Sequence, residues 1–135
     1  MDLQALAQEF QELNKRERFL YLLELGEQLP PYPKEYKTKE YEVPGCTSTV
    51  YIHPNKQADK LFFAGYADAK AVQGYVYILT QALSNKTPQE ILSDQTIPHF
   101  IQEAQMNVTT QVSRAEAFGT IYQFIQNQAR VFKEQ

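Results

Sequence analysis

The sequence predicts an α+β fold, a small antiparallel sheet of about three strands packed against N- and C-terminal helices. Two observations carry this. Apolar residues recur at helical spacing near both ends of the chain, and runs rich in Val, Ile, Thr, Tyr and Phe are confined to the middle. Helices that bracket a strand region, without strand and helix alternating, exclude a βαβ repeat.

Leu3, Leu6, Phe10 and Leu13 lie three and four residues apart, which predicts a short amphipathic helix over Asp2 to Leu13. Asn14 interrupts it. Asn14 with Glu17 three residues on reads as a capping box, so a second helix carries Phe19, Leu20, Leu22, Leu23 and Leu25 and ends near Gly26, ahead of Pro30-Pro31. After the proline-rich link through Pro33, Thr47 to Ile52 has strand composition and His53-Pro54-Asn55 is expected to turn the chain. Lys60 to Ala64 then supplies the pairing strand of a hairpin, and a short third strand is expected before Cys46.

From Asp68 the helical period returns, with Val72, Tyr75, Val76, Leu79, Ala82 and Leu83 on one broad face and Gly74 marking close packing. Asp68, at the entry, has the residue type and charge of an N-cap. Thr87-Pro88-Gln89-Glu90 combines an N-cap, a first-turn proline and an N3 glutamate, which opens a short helix. A further short helix is expected from Pro98. Ser113-Arg114-Ala115-Glu116 reads as another capping box, followed by Phe118, Ile121, Tyr122, Ile125 and Ala129 on a long last helix. No repeat of structural-unit length and no low-complexity tail is visible.

A chain of 135 residues with 43% hydrophobic content suits one domain spanning 1–135, able to bury roughly two-thirds of its unfolded surface. The formal net charge of -3 and pI near 5.4 leave no basic footprint for nucleic acid. The start of the chain has neither a basic n-region nor an apolar h-region, and no apolar run reaches membrane-spanning length. A cytoplasmic protein with no membrane partner is expected.

Cys46 is the only cysteine, so this chain supplies neither an internal disulfide nor an all-cysteine zinc or iron–sulfur site, and no metal site is expected. Pro44 fixes one backbone angle and Gly45 permits a positive φ, a pairing that can present Cys46 at a loop tip. A buried cysteine acting as a small hydrophobe is the alternative. Arg114 places a cation in the first turn of a helix, against the macrodipole by roughly 0.3–1 kcal/mol, which invites a role toward the Cys46 loop or a partner. A solvated or paired arginine is the other reading. His53 and His99 could in principle join Cys46 and Asp68 in a hydrolase triad, but their spacing does not ask for it.

Leu25-Gly26-Glu27-Gln28-Leu29-Pro30, then Gly45-Cys46-Thr47-Ser48-Thr49-Val50, then Ser113-Arg114 form three ordered blocks. In these the chain resembles the SufE family of sulfur acceptors, over nearly its whole length. It departs from the family where Tyr51 follows Val50 in place of tryptophan. In Gly65-Tyr66-Ala67-Asp68-Ala69 it carries Tyr66 and Ala67 where aspartate and serine are usual, and Glu116-Ala117 also differ.

The resemblance implies that Cys46 accepts sulfane sulfur from the persulfide of a SufS-type, pyridoxal-phosphate cysteine desulfurase. The chain would raise that enzyme's turnover and pass sulfur to an iron–sulfur scaffold complex, with no cofactor of its own and no independent turnover. Gly45, Ser48, Tyr66, Asp68 and Arg114 are then the expected supporting or partner-binding residues. A cysteine-dependent hydrolase or a non-catalytic interaction domain is the competing expectation.

Overall fold

The first two helices are set by their caps. The computed structural model describes residues 1–104 and 112–135, with the side chains of 112–115 outside the described set. Helix α1 spans Leu3–Gln11, opened by the Asp2 carboxylate, which accepts the Ala5 amide at 3.1 Å. Helix α2 spans Lys15–Gly26 behind the expected capping box, in which Asn14 and Glu17 each accept the other's amide at 2.9 Å. Arg18, buried at the α1–α2 junction, donates through Nε to the Phe10 carbonyl at 2.7 Å and so satisfies one of the acceptors left at the end of α1.

Strands β1 (Val50–Gln57) and β2 (Lys60–Ala67) pair antiparallel in a register running from Val50 opposite Ala67 to Gln57 opposite Lys60. The turn therefore falls at Ala58-Asp59, with Ala58 at a φ of +57°, and not at His53-Pro54-Asn55, which stays extended within β1. The ladder explains why proline is tolerated there. Pro54 lies opposite Phe63, whose amide points outward to the Ser84 hydroxyl at 3.0 Å, so the N–H that Pro54 lacks would also have faced away from β2.

The sheet has two strands, since the expected third shrinks to a single bridge between Glu42 and Tyr51. A 3-10 turn ends at Tyr41 and the chain bends again at Pro44-Gly45, leaving only Glu42 and Val43 free to pair.

Helix α3 (Lys70–Leu83) lies across the hairpin, followed by α4 (Pro88–Leu92), α5 (Thr96–Glu103) and α6 (Val112–Lys133). The Thr87–Glu90 capping box opens α4 as expected. Helix α5 starts ahead of Pro98 because the Asp94 carboxylate accepts the Ile97 amide at 3.0 Å. The capping box expected at Ser113 and Glu116 rests on the Ser113 side chain, which lies outside the described set.

Ile52, Leu61 and Phe63 of the hairpin meet Tyr75, Val76 and Leu79 of α3 and Phe118, Ile121 and Ile125 of α6 in one core. Tyr75, Phe118, Phe100 and Phe10 run through it as a chain of ring contacts, 5.5–6.2 Å between centroids. Gln128 of α6 also donates to the Ile52 carbonyl at 2.9 Å, tying α6 to β1.

Helices α2 and α3 touch backbone to backbone through Gly26 and Gly74. A Cβ on Gly74 would sit 2.4 Å from the Leu22 carbonyl oxygen, and one on Gly26 would sit 2.8 Å from the Gly74 nitrogen. Alanine would gain roughly 0.5–1 kcal/mol of helix propensity, but rigid backbone cannot yield to the added methyl, and overpacking costs about 1–3 kcal/mol. Gly74→Ala is therefore expected to lower unfolding free energy by about 1–2 kcal/mol in urea titration. An unchanged or raised midpoint would show that the helices separate freely.

Candidate functional site

Cys46 stands in the loop 44–49, whose two stems are joined by the Val43 amide donating to the Val50 carbonyl at 2.8 Å. A second pair closes the hairpin side. The Asp68 Oδ1 accepts the Thr49 amide at 3.0 Å, and the Asp68 amide donates to the Thr49 carbonyl at 3.1 Å. Asp68 does not serve as the N-cap of α3. Because β2 extends to Ala67, the cap position falls on Ala69, which makes no side-chain cap, and Asp68 turns instead to the loop.

Gly45 is exposed with a φ of +81°, and no atom lies within 4 Å of where its Cβ would stand. Glycine is needed there for backbone conformation and not for space, since a side chain in this left-handed region costs roughly 1–2 kcal/mol. Ser48 is half-buried two residues beyond the thiol.

The Cys46 side chain is itself half-buried and packs against the core, and burial pushes its thiol pKa up. An unperturbed thiol of pKa about 8.5 is only a few per cent ionised at neutral pH, so the resting loop holds Cys46 as a still weaker nucleophile. Beside Pro44, a groove of about 500 Å³ runs along α6 past Gly119, Gln123 and Phe124. Nothing lies within 4 Å of a Cβ on Gly119, so its missing side chain helps keep that groove open.

Tyr66 lies opposite Tyr51 on the outer face of the hairpin, and its ring contacts are Tyr51 at 5.8 Å and Tyr32 at 6.2 Å. The Lys37 ammonium sits 3.9 Å from the Tyr66 ring centre. Tyr66 is therefore part of an aromatic patch beside the loop's stem. Burial raises the pKa of Tyr32 in the same patch, so its phenol stays protonated. Arg114 lies in the first turn of α6, and its side chain is outside the described set.

His53 is stacked on Tyr36 at 3.5 Å and meets Tyr41 edge-on at 4.8 Å, while His99 pairs with Glu103 at 2.8 Å. Each histidine is engaged away from the thiol. Among the described residues no cluster of three or more His, Cys, Asp or Glu side chains could hold a metal ion, and no helix is long and apolar enough to cross a membrane. The aromatic grip on His53 was not visible from periodicity. Its sequence signal is the tandem Lys34-Glu35-Tyr36 and Lys39-Glu40-Tyr41, two triplets that each form a 3-10 turn.

Two outcomes test this geometry. Asp68→Ala should speed alkylation of Cys46 by about three- to ten-fold, as expected for losing a charge-assisted bond to an exposed amide, with little change in melting temperature. Asp68→Asn, which keeps an acceptor, should stay close to the unsubstituted protein; equal rates in Asp68→Ala would rule out the tether. In the isolated chain, the alkylation rate should rise with pH about a midpoint above that of a free thiol, because burial disfavours the thiolate. A midpoint below the free-thiol value would contradict that environment.

Residues 4–129 match the family model for SufE, the Fe-S metabolism associated domain. An uncharacterized SufE-like protein of Synechocystis sp. is 35% identical over 118 residues, covering 87% of this chain and 73% of that protein. The solution structure of a hypothetical protein from Thermus thermophilus superposes with a TM-score of 0.77 at 20% identity, over 98% of this chain and 96% of that one, which establishes a shared fold. With a family match over nearly its full length and a SufE-like relative at 35% identity, this chain belongs to the SufE family, associated with Fe–S metabolism.

Proposed function

We propose that the chain is a sulfur acceptor and activator of a cysteine desulfurase, carrying persulfide sulfur on Cys46 toward an iron–sulfur scaffold complex in the cytoplasm. The observation that carries this reading is a lone thiol on a loop fastened to the core by few bonds. Val43–Val50 and Thr49–Asp68 hold its ends, while the thiol itself rests half-buried.

The Cys46 thiolate attacks the outer sulfur of the desulfurase persulfide. A new S–S bond forms on Cys46 as the enzyme's S–S bond breaks, and the enzyme cysteine departs as thiolate. No electrons leave the pair of proteins, so neither an oxidant nor a cofactor on this chain is required. Pyridoxal phosphate belongs to the desulfurase, and this chain turns nothing over alone. The raised thiol pKa fits a resting state that is shielded until docking lifts the loop and ionises Cys46.

A cysteine hydrolase would need a base hydrogen-bonded to the nucleophile, and both histidines are occupied by other partners. The formal charge of -3 likewise argues against a nucleic-acid partner.

Intact-mass spectrometry after incubation with a cysteine desulfurase and free cysteine tests the proposal, with Cys46→Ser as control. The expected result is a gain of one sulfur atom, reversed by thiol reductant and confined to the unsubstituted chain. No gain while the two proteins still bind would refute the acceptor role.

A further inference from the structure

We propose that His53, stacked on Tyr36 and met edge-on by Tyr41, is a positioning residue that clamps the N-terminal stem of the Cys46 loop onto β1 and so sets how readily the loop opens. The proposal deepens the sulfur-carrier reading, which gives the loop's opening its purpose, but its geometry stands apart from that reading.

The loop 44–49 hangs on two stems. On one side it continues into β1, whose ladder with β2 is anchored in the core through Ile52 and Leu61. The other stem, Tyr41 to Val43, belongs to no strand. It is attached through the buried Val43 side chain, the Glu42–Tyr51 bridge with its Val43–Val50 bond, the ring of Tyr41 on His53, and the Tyr41 and Glu42 amides, which donate to the Thr38 and Lys39 carbonyls at 3.1 and 3.2 Å. The ring contact ties the stem to β1 and to the earlier 3-10 turn at once, because His53 also stacks on Tyr36 and Tyr36 meets Tyr41 edge-on at 5.7 Å.

The three rings thus form a closed triangle, with every member touching the other two. One corner is in β1 and the other two are in the consecutive 3-10 turns that lead into the loop. The tandem Lys-Glu-Tyr triplets explain how the chain builds it. Each triplet closes one 3-10 turn, and the tyrosine at the end of each turn arrives at His53. Aromatic pairs contribute beyond simple burial, and edge-to-face and offset-stacked rings are their preferred forms. Loss of the triangle leaves the core untouched, since His53, Tyr36 and Tyr41 are only half-buried and lie outside the core cluster.

The test is the alkylation rate of Cys46 in the isolated chain, which needs no desulfurase. His53→Ala and Tyr36→Ala should each raise it by roughly three- to ten-fold, the opening expected when Tyr41 of the stem loses one of its two ring contacts. Combined, they should fall short of the product of the two single effects, because the His53–Tyr36 stack is lost in either one. His53→Phe keeps a flat ring and should restore the unsubstituted rate, an outcome that a merely destabilised fold would not give. Hydrogen exchange at core α3 amides, followed in parallel, should be unchanged in Tyr36→Ala.

An alkylation rate in Tyr36→Ala equal to that of the unsubstituted chain would overturn the clamp, as would acceleration matched by equally faster exchange throughout α3. Sulfur loading by a desulfurase is read separately. A chain that fails to load while the alkylation pattern holds loses the carrier reading and keeps the clamp.

Discussion

Thr49 is gripped at both its backbone groups by Asp68, and the Val43–Val50 bond closes the same loop from the other stem. These bonds decide what Cys46 can do. A thiol built into β1 could leave its resting place only by breaking the ladder, whereas one in a loop pinned at its ends is released by losing a few bonds. Each such bond contributes roughly 0.5–1.5 kcal/mol net, and somewhat more where a carboxylate accepts. That is the range in which docking of a partner can shift the balance.

The loop can be lightly held only because the frame around it is not. Gly26 and Gly74 let α2 and α3 meet backbone to backbone, and a similar constraint operates at the sheet, where a Cβ on Gly65 would stand 2.2 Å from Val76 Cγ1. Interiors packed this closely transmit strain and do not deform continuously. Asp68 and Ala69 lie where β2 hands over to α3, so the anchor for Thr49 is fixed between two rigid elements. The burial that steadies Cys46 also suppresses its ionisation, so protection and reactivity are linked through one movement.

Much of this was legible in the sequence where the signal is local. The Asn14–Glu17 and Thr87–Glu90 capping boxes and the apolar faces of α1 and α3 follow from residue type and spacing. The errors come from tertiary context. His53-Pro54-Asn55 reads as a turn because proline breaks strands, yet Pro54 falls at an outward-facing ladder position where its missing donor costs nothing. Asp68 reads as an N-cap because cap propensity is local, while three more residues of β2 moved the cap to Ala69. The third strand was lost to turns on both sides of Glu42-Val43. For the site, Gly45 and Cys46 were visible from their dipeptide. The ring triangle on His53 was not, because it joins residues whose periodicity predicts nothing about one another.

Whether the Cys46 loop opens without the core is measured directly by native-state hydrogen exchange across a series of low denaturant concentrations. The Val43 and Thr49 amides should exchange through a local opening insensitive to denaturant, while the Ile78 and Leu79 amides of α3 exchange only through global unfolding. If all four amides shared one free energy and one denaturant dependence, loop and core would be a single cooperative unit, and the tethered loop would be contradicted.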